Sequence, residues 1–373
     1  LRIDDVKIVD PFFSIENGWI EFGESITSYG KSTKASNSSF ILMPGFVDTH
    51  VHGGAGYDFM DEKIDFRELE KHFFSTGVTS VLATTLTAPV ERINNAIDNV
   101  RKRMKENPLT PLKGVHLEGP FISKKHVGAQ NPDFILKGNI LNLKKIVDGN
   151  EDIVKIITIA LEESDDEVID YIQSKGMTIS IGHSDATFEQ FIRFYKAGVK
   201  HMTHFCNAMT PLHHREIGLV GAGLKFDDVD LELISDGIHL DEEMISLILK
   251  FHPHDRIIAI TDAMRAAGLK DGEYDLGGLK VKVKDNSARL KDGSLAGSVL
   301  KYNEGLRRLH DLGLNLNEVA TVSSFGPSAI LKSESPIGRI MPGYDADFVI
   351  MDDNFSVLKV FKKGKIVFSR EGG

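Results

Sequence analysis

Eight short runs rich in Val, Ile and Thr recur between residues 45 and 262, most of them separated by stretches of helical period. No other feature of the chain limits its fold so tightly. The runs are 45–52, 77–85, 114–118, 153–160, 177–183, 199–204, 230–235 and 256–262. Helical spacing is expected over 66–75, 90–106, 167–174, 191–197 and 242–250, and again over 303–310 and 316–332. Ser164 with Glu167, and Thr187 with Gln190, have the capping-box spacing that opens a helix. Eight strands alternating with helices over about 220 residues predict a TIM-type (β/α)8 barrel of the α/β class. The competing open dinucleotide-binding sheet lacks its Gly-x-Gly-x-x-Gly turn after the first strand.

The two ends of the chain have a different pattern. Val6–Val9 and Trp19–Phe22 precede a Ser/Thr/Lys-rich stretch near 31–39, and Phe348–Met351, Val357–Phe361 and Lys365–Phe368 are separated by turn residues. These read as short antiparallel strands. The expected division is therefore a small flanking β-sandwich domain from 1–45 and 341–373, with a barrel over 46–340.

Composition excludes several classes of function. A net charge of −10 argues against nucleic acid or an anionic membrane as partner. No apolar run has bilayer length, and Leu1–Asp5 lacks the apolar stretch of a signal peptide. Cys206 is the single cysteine, so no internal disulfide can form and a reducing cytoplasm is the simplest setting.

In a barrel of this kind chemistry sits at the C-terminal ends of the strands. Here those ends carry His50 and His52, Glu118, His183, His204, Asp236 with His239, and Asp262. His50 and His52 are two apart and so share one strand face. Each group alone has an ordinary structural explanation, as a core histidine or a satisfied buried carboxylate. Five of these strand ends, one, three, five, six and eight, meeting at one barrel mouth do not. Two imidazoles and one carboxylate with an open position form a known catalytic metal arrangement, which Glu118, His183 and His204 would supply. His50, His52 and Asp262 would complete a second position, bridged by Glu118. Such a site lowers the pKa of bound water to about 7. Asp262 is the remaining carboxylate, suited to carry the proton from water to a departing amine.

The motifs around these residues are Met43–Gly54, His116–Phe121, Gly128–Pro132, Gly182–Thr187, Thr203–Met209, His213–Glu216, Ser235–His239, Thr261–Met264 and Ser294–Ser298. In this order they resemble the N-acetylglucosamine-6-phosphate deacetylases, a branch of the amidohydrolase superfamily, and the resemblance extends over nearly the whole chain. It implies removal of acetate from a phosphorylated 2-acetamido sugar, by a homodimer holding one or two divalent ions, zinc or iron. It assigns Glu118, His183 and His204 to metal and Asp262 to catalysis. It assigns Ala129, Gln130, Asn207, Ala208, Arg215, His239, Leu295, Ala296 and Gly297 to substrate, with the Arg215 loop reaching a neighbouring subunit. Some members carry Gln and Asn in place of the His-x-His pair and hold one metal. Others carry a histidine at the position of Gln130.

Three alternatives stand beside this expectation. A galactosamine-type sugar phosphate differs by one hydroxyl, which no motif reads. A cyclic amidase or base deaminase would want a lysine at the end of strand four, where Leu161-Glu162 stands. A catalytically silent phosphosugar-binding barrel would have no use for Asp262. His126, His213 and His214 have no assigned chemistry; Cys206 is read as a packing residue and Asp236 as either a turn residue or an acceptor for a neighbouring ligand.

Overall fold

The computed structural model describes residues 1–33 and 40–370; part of the Ser/Thr/Lys-rich stretch near 31–39 lies outside them. All eight expected strands form, as Phe46–Val51, Val78–Thr85, Leu112–Glu118, Val154–Ile159, Thr178–Ile181, His201–Met202, Asp230–Ile234 and Ile257–Ile260. They pair in chain order and in parallel. Nearly every residue in them is buried, as a parallel sheet wrapped by helices requires.

Strands one and eight meet at a seam made largely by the residues of the site. The Asp262 N–H donates to the His50 carbonyl and the His52 N–H to the Ala263 carbonyl, both at 2.9 Å. The Asp48 carboxylate accepts from the His50 N–H and from the Thr261 N–H and hydroxyl, joining the two strands a second time. Tyr302 Oη lies 2.9 Å from the carbonyls of both Val47 and Ala259 and fills the gap below. The two strand ends that carry His50, His52 and Asp262 are thus locked together by backbone bonds.

The helices Phe66–Ser75, Val90–Glu106 and Glu167–Ser174 form with the bounds the periodicity predicts. The Thr187–Gln190 capping box is present, and its helix runs Phe188–Lys196, one turn earlier than the apolar spacing suggests. The Ser164–Glu167 box is not formed. Ser164 Oγ instead donates to the Ala160 carbonyl at 3.0 Å, and the helix starts after Asp166 with no side-chain cap. The 316–332 stretch is helical but is interrupted by a π turn over Thr321–Phe325 ahead of Pro327.

Both ends of the chain join one seven-stranded sheet. Its order is Lys365–Ser369, Val357–Lys362, Phe348–Met351, Ile41–Pro44, Arg2–Asp10, Phe13–Phe22, Ile26–Lys31. One pair departs from the antiparallel expectation, because Arg2–Asp10 and Ile41–Pro44 run parallel. The sheet curls on itself. Phe22 and Phe361 lie four strands apart in that order, nearly 20 Å in a flat sheet, yet their rings are 5.5 Å apart. A small core of Ile8, Ile20, Phe22, Leu42, Phe348 and Phe361 fills the fold between them.

A second sheet of three strands, Gly272–Leu276, Leu279–Lys284 and Ser287–Arg289, follows strand eight and has no counterpart in the expected elements. It packs through Val281, Val283 and Ala288 against Leu86 and Met264 and brings the 294–297 loop to the barrel mouth. No described helix is long and apolar enough to cross a membrane.

Candidate active site

The strand-end residues converge as the sequence suggests. Glu118 Oε1 lies 3.1 Å from His183 Nε2 and 3.0 Å from His204 Nε2, and those two ring nitrogens are 3.1 Å apart. Glu118 Oε1 is also 3.4 Å from His50 Nε2, and Oε2 is 3.4 Å from His52 Nε2. Asp262 Oδ1 faces the same pair, 3.5 Å from His50 Nε2 and 3.1 Å from His52 Nε2. Ligand atoms of two groups, Glu118–His183–His204 and His50–His52–Glu118, are close enough to surround single ions.

The backbone turns sharply to place them. His183, His204 and Asp262 have φ of +48°, +29° and +51°, a left-handed region that side chains with a Cβ rarely enter. Each such residue costs about 1–3 kcal/mol and persists because the surrounding fold holds it there. Gly297, at φ +60°, lets its loop pass the barrel rim; a Cβ there would be 3.0 Å from the Asp262 carbonyl oxygen.

Hydrogen bonds fix the ring orientations. His183 Nδ1 donates to the His126 carbonyl at 2.8 Å, His50 Nδ1 to Glu232 Oε2 at 2.9 Å and His52 Nδ1 to the Thr84 carbonyl at 3.3 Å. With Nδ1 so engaged, each ring turns its Nε2 toward Glu118, where a neutral ring offers a lone pair. Lone pairs of several imidazoles and two carboxylates converging on one buried point are a donor set for a cation. The six residues are only 0–7% exposed, so water does little to offset their charge. Burial opposes ionisation of Glu118 and Asp262, yet the imidazoles of His50, His183 and His52 outweigh it and hold both carboxyls below the usual range. Burial likewise lowers His50, but Glu232 and Glu118 raise it well above an ordinary imidazole. The donor set as a whole favours positive charge and fits a divalent ion.

The site opens into a cavity of about 330 Å³. Its walls include Ala129, Gln130, Asn207, Ala208, His239, Leu295 and Gly297, together with His52, Glu118, His183, His204 and Asp262. Three expected residues stand outside this lining. His50 is fully buried behind it. Ala296 is fully buried in the apolar cluster under the three-stranded sheet. Arg215 is exposed, and its Nη1 donates to His214 Nε2 at 2.6 Å. Gln130 holds Glu118, with Nε2 donating to Glu118 Oε2 while Oε1 accepts the Thr87 N–H at 2.6 Å.

Asp236 satisfies the turn and orients a side chain together. Its Oδ1 accepts the N–H groups of Ile238 and His239, and its Oδ2 meets His239 Nδ1 at 2.7 Å. Burial works against charge on His239, but the Asp236 carboxylate prevails and raises it. The Cys206 thiol is pushed up to about 12 by burial and stands apart from the ligand groups, in keeping with packing. His213 and His214 are exposed, with rings 4.1 Å apart.

Three residues of the site escape the sequence reading. Lys125 and His126 line the cavity, both paired to Asp185. Glu232 lies fully buried within strand seven and touches His50. A carboxylate flanked by Leu231 and Leu233, in the fully buried part of its strand, is the available signal.

Comparison with known proteins agrees with this geometry. The amidohydrolase family model matches residues 41–367. The chain is 37% identical to an N-acetylglucosamine-6-phosphate deacetylase of Bacillus subtilis, over 99% of this chain and 97% of the relative. It is 34% identical to an N-acetylgalactosamine-6-phosphate deacetylase of Escherichia coli O157:H7, covering 87% of each. The crystal structure of an N-acetylglucosamine-6-phosphate deacetylase from Thermotoga maritima superposes with a TM-score of 0.93 at 42% identity, covering 99% of this chain and 100% of that one.

Proposed function

Because the chain belongs to the amidohydrolase family, we propose that it hydrolyses the acetamido bond of N-acetylglucosamine 6-phosphate, releasing acetate and glucosamine 6-phosphate. One observation carries the reading: Glu118 Oε1 sits within 3.1 Å of both His183 Nε2 and His204 Nε2, at the floor of a cavity walled by Asp262. The relatives with that activity span nearly all of the chain.

Glu118, His183 and His204 would hold one divalent ion, and His50 and His52 a second with Glu118 between. Imidazole with carboxylate suits zinc or iron. When bound, such an ion supplies Lewis acidity, which acidifies water and polarises an amide carbonyl. Asp262 accepts the proton from attacking water at its carboxylate and returns it to the sugar nitrogen. That second transfer is needed because an unprotonated amine is a poor leaving group. Gln130 keeps Glu118 in place and has one amide hydrogen left for the substrate. His239, held in one tautomer by Asp236, presents its Nε2 to the cavity. Together with Asn207 and Ala208 it binds the sugar phosphate, while Leu295 and Gly297 form the wall beside the acetyl group, with Ala296 packed behind them, and Ala129 makes another contact.

Arg215 is exposed and lies outside the lining of its own cavity, which supports the reading that its guanidinium serves the site of a second subunit in a homodimer. A planar, permanently charged fork on an exposed loop suits a phosphate from a neighbouring site. The single cysteine keeps a cytoplasmic setting as the simplest.

The test is acetate release from N-acetylglucosamine 6-phosphate by metal-loaded protein, run beside the galactosamine epimer. Release no greater than from the metal-free protein would reject hydrolysis. A higher kcat/KM for the galactosamine compound would reassign the substrate, as the Escherichia coli relative invites.

A further inference from the structure

Beneath the ligand groups the barrel interior is unexpectedly polar. Barrel cores are usually filled by Val, Ile and Leu, yet here Thr158, Ser180, Thr203, His116, His201 and Glu232 lie together, each at most 2% exposed. Most of these groups bond only one another. His116 Nδ1 donates to the Thr49 carbonyl at 3.0 Å, so its Nε2 accepts from Thr158 at 2.7 Å. Thr158 meets Thr203, Thr203 meets Ser180, and Ser180 accepts from His201 Nδ1 at 2.9 Å.

Glu232 differs, because it reaches up into the site. Its Oε2 accepts from His50 Nδ1 at 2.9 Å and from the His204 backbone N–H at 3.2 Å. Its backbone carbonyl accepts the Phe205 N–H at 2.7 Å. Its Oε1 lies 3.9 Å from His201 Nε2 and 4.0 Å from His116 Nδ1, so residues of strands one, three and six surround one carboxylate. A full carboxylate buried at this depth is costly unless it holds something in place.

We infer that Glu232 is a positioning residue of the metal centre, fixing the His50 ring and the turn that carries His204 so that both meet the same cation pair. A carboxylate behind a ligating imidazole sets its tautomer and strengthens the other nitrogen as a donor. The bond to the His204 N–H extends that control to the left-handed turn at φ +29°. The inference rests on the reading of His50 as a ligand, and the experiment separates the two.

Zinc affinity is measured by chelator competition, and the ligand field by the visible spectrum of cobalt-substituted protein, for wild type, Glu232→Gln, Glu232→Asp, His50→Gln and Ser180→Ala. Gln removes the charge; Asp keeps it but withdraws it from His50. Both are expected to weaken one zinc position by about ten- to a hundredfold and to shift the cobalt spectrum, as His50→Gln does. Ser180→Ala, in the same polar layer but touching no proposed ligand, is expected to lower thermal stability while leaving zinc affinity unaltered. If His50→Gln weakens zinc and both Glu232 variants bind as wild type, the inference fails and the ligand reading stands. If Ser180→Ala loosens zinc as much as the Glu232 variants, the effect belongs to packing and the inference fails. If His50→Gln has no effect on zinc, the ligand reading fails and takes the inference with it.

Discussion

Asp262 Oδ1 lies 3.1 Å from His52 Nε2, on a strand end whose backbone N–H is already bonded to the His50 carbonyl. The carboxylate with the proposed proton-carrying role is therefore held by the same seam that holds two of the proposed ligands. Its position depends on strands one and eight rather than on a mobile loop.

Asp262→Asn tests the proton role. The amide matches the carboxylate in shape, but it cannot take a proton from water. Acetate release is expected to fall by a factor of about 10²–10⁴, with metal content by elemental analysis within twofold of wild type. Turnover near the wild-type rate would remove Asp262 from proton transfer. A matching loss of metal would make it a ligand instead.

Metal removal should cost stability as well as activity. An ion that binds only the folded chain adds about 2.7 kcal/mol at a free concentration one hundred times its dissociation constant. Dialysis against a chelator should abolish acetate release, and zinc should restore it while raising the melting temperature. Glu118→Gln takes the central negative charge from among four imidazoles and should show little of that thermal shift. A full shift in this variant would argue that the ion binds elsewhere.

Much of the fold could be read from the sequence because its signals are local. The buried strands are nearly continuous apolar runs, and the helices between them keep clear 3.6-residue periodicity, so the long helices Phe66–Ser75 and Val90–Glu106 fall where expected. Ser164–Glu167 shows the limit of such signals, since a hydroxyl three residues before a glutamate can bond back to a carbonyl as readily as cap a helix. The three-stranded sheet has a local signal of its own. Lys280 to Lys284 alternates Lys and Val, and it is bounded by Gly277-Gly278 and Asp285-Asn286, all four at positive φ in the manner of two-residue hairpin turns.

The candidate site divides along the same line. His50, His52, Glu118, His183, His204 and Asp262 are titratable groups at the ends of apolar runs, a contrast any reader of the chain can find. Glu232 sits inside a run, between Leu231 and Leu233, and periodicity reads it as part of the strand. Lys125 and His126 belong to a short loop whose approach to the cavity is set by tertiary packing. No local pattern carries that information, and no pattern predicts the left-handed backbone of His183, His204 and Asp262.

Arg215 makes a prediction about assembly. Arg215→Ala should raise KM for the phosphorylated sugar by at least about tenfold, as loss of a charge-assisted contact would, and leave KM for unphosphorylated N-acetylglucosamine unchanged. If the loop serves a neighbouring subunit, mixing this variant with Asp262→Asn should regain activity. Random exchange in a two-fold dimer leaves about a quarter of the sites intact. Equal KM changes for both sugars would remove Arg215 from phosphate binding, and no regain on mixing would keep the loop within its own subunit.

His72 predicts how stability depends on pH. Its ring lies against Gly54 and Gly268, where an added Cβ would come within 2.5 Å and 2.8 Å of it. Burial, with a smaller contribution from Lys301, pushes the imidazole down to about 4. In the unfolded chain it titrates near 6.5. Between those values the unfolded state binds the extra proton, so the stabilising contribution is complete above about pH 6.5 and is lost as pH falls toward 4. At pH 5 the cost is about 2 kcal/mol relative to pH 7.5. His72→Leu has no proton to bind and should escape that part of the loss, although carboxylates that titrate below pH 5 affect both proteins alike. Urea unfolding of the two proteins at pH 7.5 and pH 5 provides the comparison. A wild-type loss about 2 kcal/mol greater than the variant's is expected; parallel losses would mean that His72 takes up its proton in the folded protein as easily as in the unfolded chain.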